Sequence, residues 1–366
     1  TVGFNKPELL FQYYKGGADK IVAKQALYDM SRYGGFGPVP VAIMGSPFHP
    51  VDFEGFFNGN PDRRAVERSR FFQAFDELVA DSKQARVMLV IYLMWNMVNF
   101  ADLGGHSLHE GVTNFESAGY RKCEEVTLAI VSRYKDEPGI GLWVVGSEWN
   151  LLADLQMPNG VFSGTTAGDV NHPGPVVRDG RNNFNSQELA GLYKRLIMRI
   201  GEIDKNHLIA TGAAEPRRSA MHLFRAVLEG RDPDWTPDDW DDWQKYIEMM
   251  NADADFLSLH YYGIPVDVSL NFYKDLSVRL NKPVFFGEAG VNFEAFDPDY
   301  NSRPGLEFLD LLLAELVSKE FPLSCLWVYS EQIGRFQLYR GVTDRALKMV
   351  EDANYRHKGI MPPRSR

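Results

Sequence analysis

The sequence has 366 residues, of which 45% are hydrophobic, so the chain can bury a large core and does not have the composition of a disordered protein. Acidic residues outnumber basic ones by 49 to 39, and the resulting net charge of -10, without any basic block, argues against a nucleic-acid partner. No apolar stretch approaches the ~20 residues of a membrane span, and Cys123 and Cys325 lack the spacing of a disulfide framework or a zinc knuckle.

Short apolar runs alternate with longer amphipathic segments along the whole chain, which is typical of a parallel α/β fold. The predicted strands are the run TVGFN at the start and the runs at 39–45, 86–95, 140–148, 207–215, 255–263, 282–290 and 323–330. Helices are predicted between them, including those at 68–84, 186–203 and 306–317. Eight β/α units in a chain of this length predict a (β/α)8 TIM barrel, with residues 1–366 forming a single domain.

An open, doubly wound sheet is the competing architecture, but the sequence lacks both the GxGxxG turn and the GxxxxGK[ST] loop that are typical of it. Two connections are long. The one at 153–185 is rich in glycine, asparagine and proline, and the one at 215–243 contains many acids and three tryptophans. We expect both to be long βα loops over the C-terminal face of the barrel, where they would border a cleft.

Two predicted strands end in a glutamate, Glu148 in WVVGSEWN and Glu288 in VFFGEAG. Active sites of (β/α)8 barrels lie where the strands run into the βα loops. A lone acid at a strand end usually caps a helix or pairs with an arginine, but two at matching positions indicate a catalytic pair. Glycoside hydrolysis uses such a pair, one carboxyl as the proton donor and the other as the ionised nucleophile.

The segments around both acids resemble those of glycoside hydrolase clan A, particularly the cellulase- and mannanase-like enzymes of family 5. RYKDEPGIGLWVVGSEWN is similar to the strand-four segment RYKDNPxIxxWxxxNEP of that clan, and this resemblance implies that Glu148 is the proton donor. KPVFFGEAGV is similar to the strand-seven segment, and it implies that Glu288 is the nucleophile.

Two further strands carry the same resemblance. DFLSLHYYG is similar to the strand-six segment, which implies that Tyr262 contacts the nucleophile and that His260 helps to shape the substrate site. Strand alternation puts these two side chains on one face. LSCLWVYS is similar to strand eight, which implies that Trp327 forms the floor beneath a sugar. Structural alternatives are a barrel-lining histidine and a core tryptophan.

The sequence departs from the family pattern at two positions. Ser147 stands where the family has an asparagine that binds the sugar 2-hydroxyl, and Asn150 is one candidate to replace that contact. On strand two the family usually places an arginine near the nucleophile, whereas VPVAIMG has Pro40 or an apolar neighbour there. Without that cation the ionised form of Glu288 loses one source of stabilisation.

Other polar residues follow predicted strands and are candidates to line the cleft: Asn5, His49, Asn96 and Glu215. Asn96 is equally consistent with a role in organising its own loop. Glu215 is a third strand-end acid, ranked below Glu148 for either catalytic role. We expect Trp149, together with the long loop, to shield Glu148 from water and to adjoin the substrate.

The acidic stretch DPDWTPDDWDDW, at residues 232–243, contains Trp235, Trp240 and Trp243. Its simpler interpretation is a capped helix start with inward-packed tryptophans. The alternative is a wall that stacks on sugar rings.

The sequence therefore predicts a β-glycoside hydrolase that acts on β-linked oligo- or polysaccharides with retention, by double displacement. Retention predicts a separation of ~5 to 5.5 Å between the two carboxyl groups. A catalytically inactive, carbohydrate-binding barrel and a transglycosylase are the alternatives. The type of sugar, endo or exo action and the oligomeric state stay open.

No cofactor or metal is expected, because the sequence contains no HExxH motif and His106 and His109 have no obvious third ligand nearby. A serine hydrolase is disfavoured by the absence of a GxSxG motif. The sequence begins at Thr1 without a charged-then-apolar leader, which fits a processed product as well as a shortened chain. We expect a secreted or periplasmic location in preference to a cytoplasmic one.

Overall fold

Strands and helices alternate along the chain as predicted. The computed structural model describes residues 1–35, 37–43, 60–156, 160–161, 177–262, 266–291, 303–330 and 338–359. The strands in these ranges are β1 (Val2–Phe4), β2 (Pro38–Ala42), β3 (Met88–Tyr92), β4 (Ile140–Val144), β5 (Gly160–Val161), β6 (Val177–Arg178), β7 (Leu208–Ala210), β8 (Leu257–Tyr261), β9 (Val284–Ala289) and β10 (Leu323–Leu326). Each of the eight predicted strands is confirmed, and each is shorter than its apolar run.

The helices predicted at 68–84, 186–203 and 306–317 are confirmed as α3, α7 and α11. The described helices are α1 (Leu9–Lys15), α2 (Gly17–Gly34), α3 (Pro61–Ala85), α4 (Asn99–Asp102), α5 (Leu108–Thr113), α6 (Ala118–Tyr134), α7 (Ser186–Ile203), α8 (Ala220–Leu228), α9 (Trp240–Met250), α10 (Val266–Leu280), α11 (Arg303–Ser318) and α12 (Asp344–His357). A capping box between Asn185 and Glu188 fixes the start of α7. None of the described helices combines the length and apolarity needed to cross a membrane.

Two four-stranded sheets contain the eight predicted strands, in the orders β1-β10-β9-β8 and β2-β3-β4-β7. The pairs β1–β10, β10–β9 and β4–β7 are parallel. Every residue of β1, β2, β8 and β9 is buried, as expected for parallel strands that are covered on both faces. In the long connection after β4, β5 and β6 form a small antiparallel pair.

The chain packs as two compact units. Unit 1 comprises Thr1–Val41, Asp76–Val90 and Leu259–Arg366, and unit 2 comprises Ala42–Phe75 and Ile91–Ser258. The prediction that residues 1–366 form a single domain stays a prediction.

In unit 1, the first strand is fixed by contacts that are distant in sequence. The side chain of Asn354 on α12 accepts a hydrogen bond from the Val2 amide at 2.9 Å and donates one to the Val2 carbonyl at 2.8 Å. Phe4 packs edge-on against Tyr329, with ring centroids 6.0 Å apart. These contacts fix the end of β1, from which Asn5 follows directly.

In unit 2, helix α7 covers the sheet behind β4. Trp143 of β4 is fully buried, and its indole N–H donates to Asp204 Oδ2 at 2.7 Å, just after the end of α7. Six apolar or aromatic side chains of α7 are buried on one face, as its amphipathic pattern predicts: Leu189, Leu192, Tyr193, Leu196, Ile197 and Ile200. The packing holds β4, and therefore the start of the segment that carries Glu148, in a fixed place.

Candidate catalytic residues

Glu148 lies four residues beyond the end of β4, not on the strand itself, because β4 ends at Val144. Its backbone is left-handed, with φ 56° and ψ 22°, a conformation that costs a residue with a Cβ roughly 1–2 kcal/mol. Its amide donates to the Gly212 carbonyl at 2.9 Å, and its carbonyl accepts from the Leu151 amide at 3.0 Å. These bonds hold the strained turn in place and leave the side chain partly exposed.

Glycines on both sides of this turn permit its close packing. A Cβ on Gly146 would lie 2.2 Å from the indole of Trp149, so the tryptophan ring lies directly over that glycine. A Cβ on Gly212, whose φ is +78°, would lie 1.9 Å from the Gly146 carbonyl oxygen. The segment WVVGSEWN can therefore fold back on itself, because Gly146 has no side chain and the indole of Trp149 occupies the position that a Cβ would take.

Trp149 and Asn150 both have structural contacts, and the substrate contacts predicted for them stay predictions. Trp149 is 1% exposed, stacks on Tyr193 with ring centroids 5.5 Å apart, and donates its indole N–H to the Trp95 carbonyl at 3.1 Å. The Asn150 amide accepts from the Ala214 N–H at 2.9 Å and donates to the Ala214 carbonyl at 3.0 Å. Both residues position the segment around Glu148.

A buried polar network continues from this segment. The hydroxyl of Tyr246 contacts the Asn150 carbonyl at 3.3 Å and the Ser186 hydroxyl at 2.9 Å, and Ser186 in turn bonds to the carboxyl of Asp154. The Ser186 amide also donates to Asp154 Oδ1 at 2.9 Å. Burial raises the pKa of Asp154 to about 6, against the lowering effect of the Ser186 hydrogen bonds. No pattern in the sequence identified this network.

Glu288 lies within β9 and is 5% exposed. The Tyr262 hydroxyl donates to Glu288 Oε2 at 2.7 Å, and His260 Nδ1 lies 3.5 Å from Glu288 Oε1. His260 is 2% exposed, whereas Tyr262 is 38% exposed. Residues 260 and 262 thus both contact the acid, as their spacing along the strand predicts. The tyrosine hydrogen bond stabilises the carboxylate form of Glu288.

Asn5 supports the backbone beside Glu288. Its side-chain amide donates to the carbonyl of Gly287 at 2.9 Å and to that of Cys325 at 3.4 Å, so it joins β9 and β10. The register between these two strands shifts between Ser324 and Leu326. Asn5 is fully buried, and its predicted place on the cleft wall stays a prediction.

Trp327 follows β10 directly and is partly exposed. The Trp327 amide donates to the Ala289 carbonyl at 2.8 Å. Ala289, the residue after Glu288, therefore fixes the backbone of Trp327. The peptide bond between Trp327 and Val328 is cis. The role of Trp327 beneath a sugar stays a prediction.

The remaining candidates are spread over several segments. Asn96 is buried, and its side-chain oxygen accepts from the Val98 amide at 3.1 Å, which is the loop-organising alternative. Ser147 is buried, and Glu215 is partly exposed in the segment after β7. His49 lies outside the described residues. Substrate contacts of Ser147 and Glu215 stay predictions.

No arginine lies on β2, whose sequence is PVPVA with every residue buried. A nearby buried cation is Lys6, whose amide donates to the Pro40 carbonyl at 3.2 Å. Its ammonium group pairs with Glu8 at 2.7 Å, so its charge is balanced by that carboxylate. The two cysteines, Cys123 and Cys325, are free and buried, and burial raises the pKa of both thiols well above their usual range.

Comparison with solved structures finds that glycoside hydrolases share this fold. An endo-1,4-beta-mannanase from Rhizomucor miehei matches 98% of this chain and 94% of its own, with a TM-score of 0.62 and 17% identity. A glycoside hydrolase family 5 mannosidase from the same organism matches 98% and 92%, with a TM-score of 0.65 and 13% identity. A GH5_18 structure from Streptomyces cattleya in complex with GlcNAc matches 100% and 82%, with a TM-score of 0.61 and 13% identity.

The chain has the fold of the family 5 glycoside hydrolases. The α/β fold of the (β/α)8-barrel type, predicted from the strand and helix pattern, is therefore confirmed, and so is the resemblance to this group at the level of the fold. No protein-family profile matches the sequence. No curated protein sequence matches it either.

Proposed function

We propose that the protein is a retaining β-glycoside hydrolase in which Glu288 is the nucleophile and Glu148 is the acid/base. The fold supports a glycosidase, because it is shared over nearly the full chain with mannanases and mannosidases. In barrels of this type the catalytic groups come from the C-terminal ends of several strands. Glu148 follows β4 and Glu288 lies near the end of β9, as this arrangement requires.

The observation that carries the proposal is the environment of Glu288. A buried carboxylate is costly unless it is hydrogen-bonded, and Tyr262 supplies a bond of 2.7 Å. Tyr262 is itself 38% exposed, so this hydrogen-bonded pair adjoins the exposed surface. A nucleophile in double displacement requires an oriented, ionised carboxylate that a substrate can approach.

Glu148 suits the complementary role. Its strained, hydrogen-bonded backbone fixes where the side chain begins, while the side chain is partly exposed and can exchange protons with water or a leaving group. In the first step a Glu288 oxygen would bond to the anomeric carbon as the glycosidic C–O bond breaks, and Glu148 would give its proton to the leaving oxygen. In the second step Glu148 would take a proton from water, whose oxygen would replace Glu288 at the anomeric carbon.

For the substrate class, we propose β-linked oligo- or polysaccharides, with β-mannans first. The support is that mannanases and mannosidases are prominent among the solved structures of the same fold. Because such polymers are too large to cross a membrane, we also propose a secreted or periplasmic location. Fractionation of the source cells, with detection of the protein in each fraction, would test the location.

The experiment is sugar release from β-mannan, β-glucan, β-galactan and aryl β-glycosides by the parent protein and by Glu148→Gln and Glu288→Gln. Loss of about 10³-fold or more in both variants is expected. Glu215→Gln tests the third acid, and Glu110→Gln, at an exposed position, is the control. NMR should show that the sugar is first released as its β anomer, the configuration of the substrate.

Azide separates the two roles. With an activated aryl glycoside, azide should give an α-glycosyl azide in Glu288→Ala, because it replaces the nucleophile, and a β-glycosyl azide in Glu148→Ala, because it replaces the deprotonated water. Sugar binding without turnover of any substrate would instead favour the inactive binding barrel, and oligosaccharide products longer than the substrate would favour a transglycosylase.

A further inference from the structure

Two tryptophans of unit 2 present their indoles to solvent. Trp235 is 59% exposed and Trp240 is 45% exposed, whereas Trp143 and Trp149 are almost completely buried. Trp240 stacks on Trp243 with ring centroids 5.5 Å apart and planes inclined by 21°. Indoles carry the largest apolar surface of any side chain, so exposing two of them in one short segment is costly without a ligand. We call Trp235, Trp240 and Trp243 the aromatic platform.

The backbone beneath the platform is fixed by hydrogen bonds, so the exposure is built into the fold. The Ser219 hydroxyl donates to the Trp235 carbonyl at 2.8 Å, and the Asp238 amide donates to the Arg218 carbonyl at 2.6 Å. Asp239 caps α9 by accepting from the Asp242 amide at 2.9 Å. Trp235 and Trp240 are therefore held on one stretch of chain, with Cα atoms no more than about 18 Å apart.

The buried acids of this segment serve the structure. Asp238 accepts from the amides of Met221 and His222 at 2.8 and 3.1 Å and from the His222 ring at 2.6 Å. Asp242 bonds to both terminal nitrogens of Arg225, at 2.7 and 2.5 Å. These bonds account for Asp238 and Asp242.

Three other acids of the same segment are exposed: Asp232, Asp239 and Asp241. Carboxylates accept hydrogen bonds from hydroxyl groups, and their negative charge disfavours anionic polymers. A matching ligand has flat apolar faces, hydroxyl donors and no negative charge. A chain of neutral pyranose rings has these three properties.

We propose that the aromatic platform binds a neutral polysaccharide chain by stacking sugar rings on Trp235 and Trp240. The choice of a glycan as ligand rests on the proposed function, because an enzyme that acts on polysaccharides meets this ligand at high local concentration. The platform would increase the residence of the protein on long chains and would contribute nothing to ligands of one or two sugars that do not reach it.

The test is native affinity electrophoresis in gels that contain soluble galactomannan, mixed-linkage β-glucan or xylan, with polygalacturonate as the anionic comparison. The protein carries Glu288→Gln so that the polymers are not cleaved. Trp235→Ala and Trp240→Ala are run beside Trp240→Phe, which keeps a flat ring. Tyr28→Ala is the matched control, because Tyr28 is an aromatic residue of α2 with a similar exposure of 47%.

At least one neutral polymer should retard the parent, with a dissociation constant at least five-fold higher for the two alanine variants, partial recovery in Trp240→Phe, and no change in Tyr28→Ala. With Glu288 restored, the ratio of activity on polysaccharide to activity on an aryl glycoside should fall by a similar factor. Equal retardation of parent and alanine variants, retardation by polygalacturonate alone, or no retardation at all would overturn the proposal. Binding is measured without turnover, so an inactive parent that is still retarded refutes only the proposed hydrolysis.

Discussion

Asp154 holds a buried charge at neutral pH, and replacing it by asparagine should stabilise the protein. Its side chain is 3% exposed and accepts two hydrogen bonds from Ser186. Asparagine can accept the bond from the Ser186 amide and donate to the Ser186 hydroxyl. It also tolerates the left-handed backbone at this position, where φ is 59°. Asp154→Asn therefore removes the charge with little change in packing.

The magnitude follows from the pKa of Asp154. Burial raises it from 3.8 to about 6, and at about 1.4 kcal/mol per unit this corresponds to about 3 kcal/mol. Because the folded-state pKa is the higher one, the neutral carboxyl stabilises the fold fully below pH 3.8, and this stabilisation is lost as the pH rises through about 6. The gain from Asp154→Asn should thus be under about 1 kcal/mol at pH 4, about 1 to 2 at pH 5 and about 3 at pH 7.

The assay is unfolding by heat and by urea at pH 4, 5, 6 and 7. With about 2.1 cal/mol/K of unfolding entropy per residue, 3 kcal/mol corresponds to a rise of about 4 °C in unfolding temperature at pH 7. Asp253→Asn, at an exposed position of unit 2, is the control for removal of a surface carboxylate. A stabilisation by Asp154→Asn that is the same at every pH, or largest at pH 4, would refute the argument that burial of the charge is its cause.

Three further substitutions test single contacts around the candidate catalytic residues. Tyr262→Phe removes the hydroxyl that donates to Glu288 and should lower kcat/KM roughly 10- to 100-fold on an aryl glycoside, with the unfolding temperature as the control for folding. Gly212→Ala should destabilise the protein by at least about 2 kcal/mol in urea, whereas Gly230→Ala, also left-handed but with open space around it, should cost only about 1. Asn150→Ala leaves a buried backbone N–H and C=O without their side-chain partners and should cost about 2 to 4 kcal/mol in the same assay, whereas a loss below about 1 kcal/mol would show that water replaces both bonds.

Periodicity was sufficient to predict the eight strands and the three helices α3, α7 and α11, because burial of apolar side chains decides both. Helix α7 matches its predicted range of 186–203, since a capping asparagine precedes it and an aspartate ends its apolar stripe. The strands were predicted too long, because buried residues continue past the ends of the regular strands. After Val144, for example, Val145 and Gly146 are still buried and their amides still donate to the carbonyls of Ala210 and Thr211, at 2.9 and 3.0 Å.

Side-chain direction was harder to predict than position. Spacing was enough for His260 in β8 and for Tyr262, the residue directly after it, because the two-residue alternation of the strand extends to its end. Farther from a strand no such rule holds, and Trp149 packs on Tyr193 although it follows Glu148 directly. The direction of that indole depends on the space above Gly146, which only the folded backbone defines. For the same reason the sequence could not show that the amide of Asn150 is used by the backbone of Ala214.

The distribution of backbone strain links the candidate acid to its surroundings. Among the described residues other than glycine, those with positive φ are Arg86, Asn281, Glu320, Glu148 and Asp154. The first three lie one or two residues past the ends of α3, α10 and α11, where a left-handed residue commonly ends a helix. The last two have no such explanation, and both lie in the short segment after β4. This segment therefore contains two residues with a strained backbone. One of them, Asp154, also has a carboxylate whose charged form burial destabilises by about 3 kcal/mol. We interpret this cost as the consequence of holding the Glu148 side chain in a fixed place.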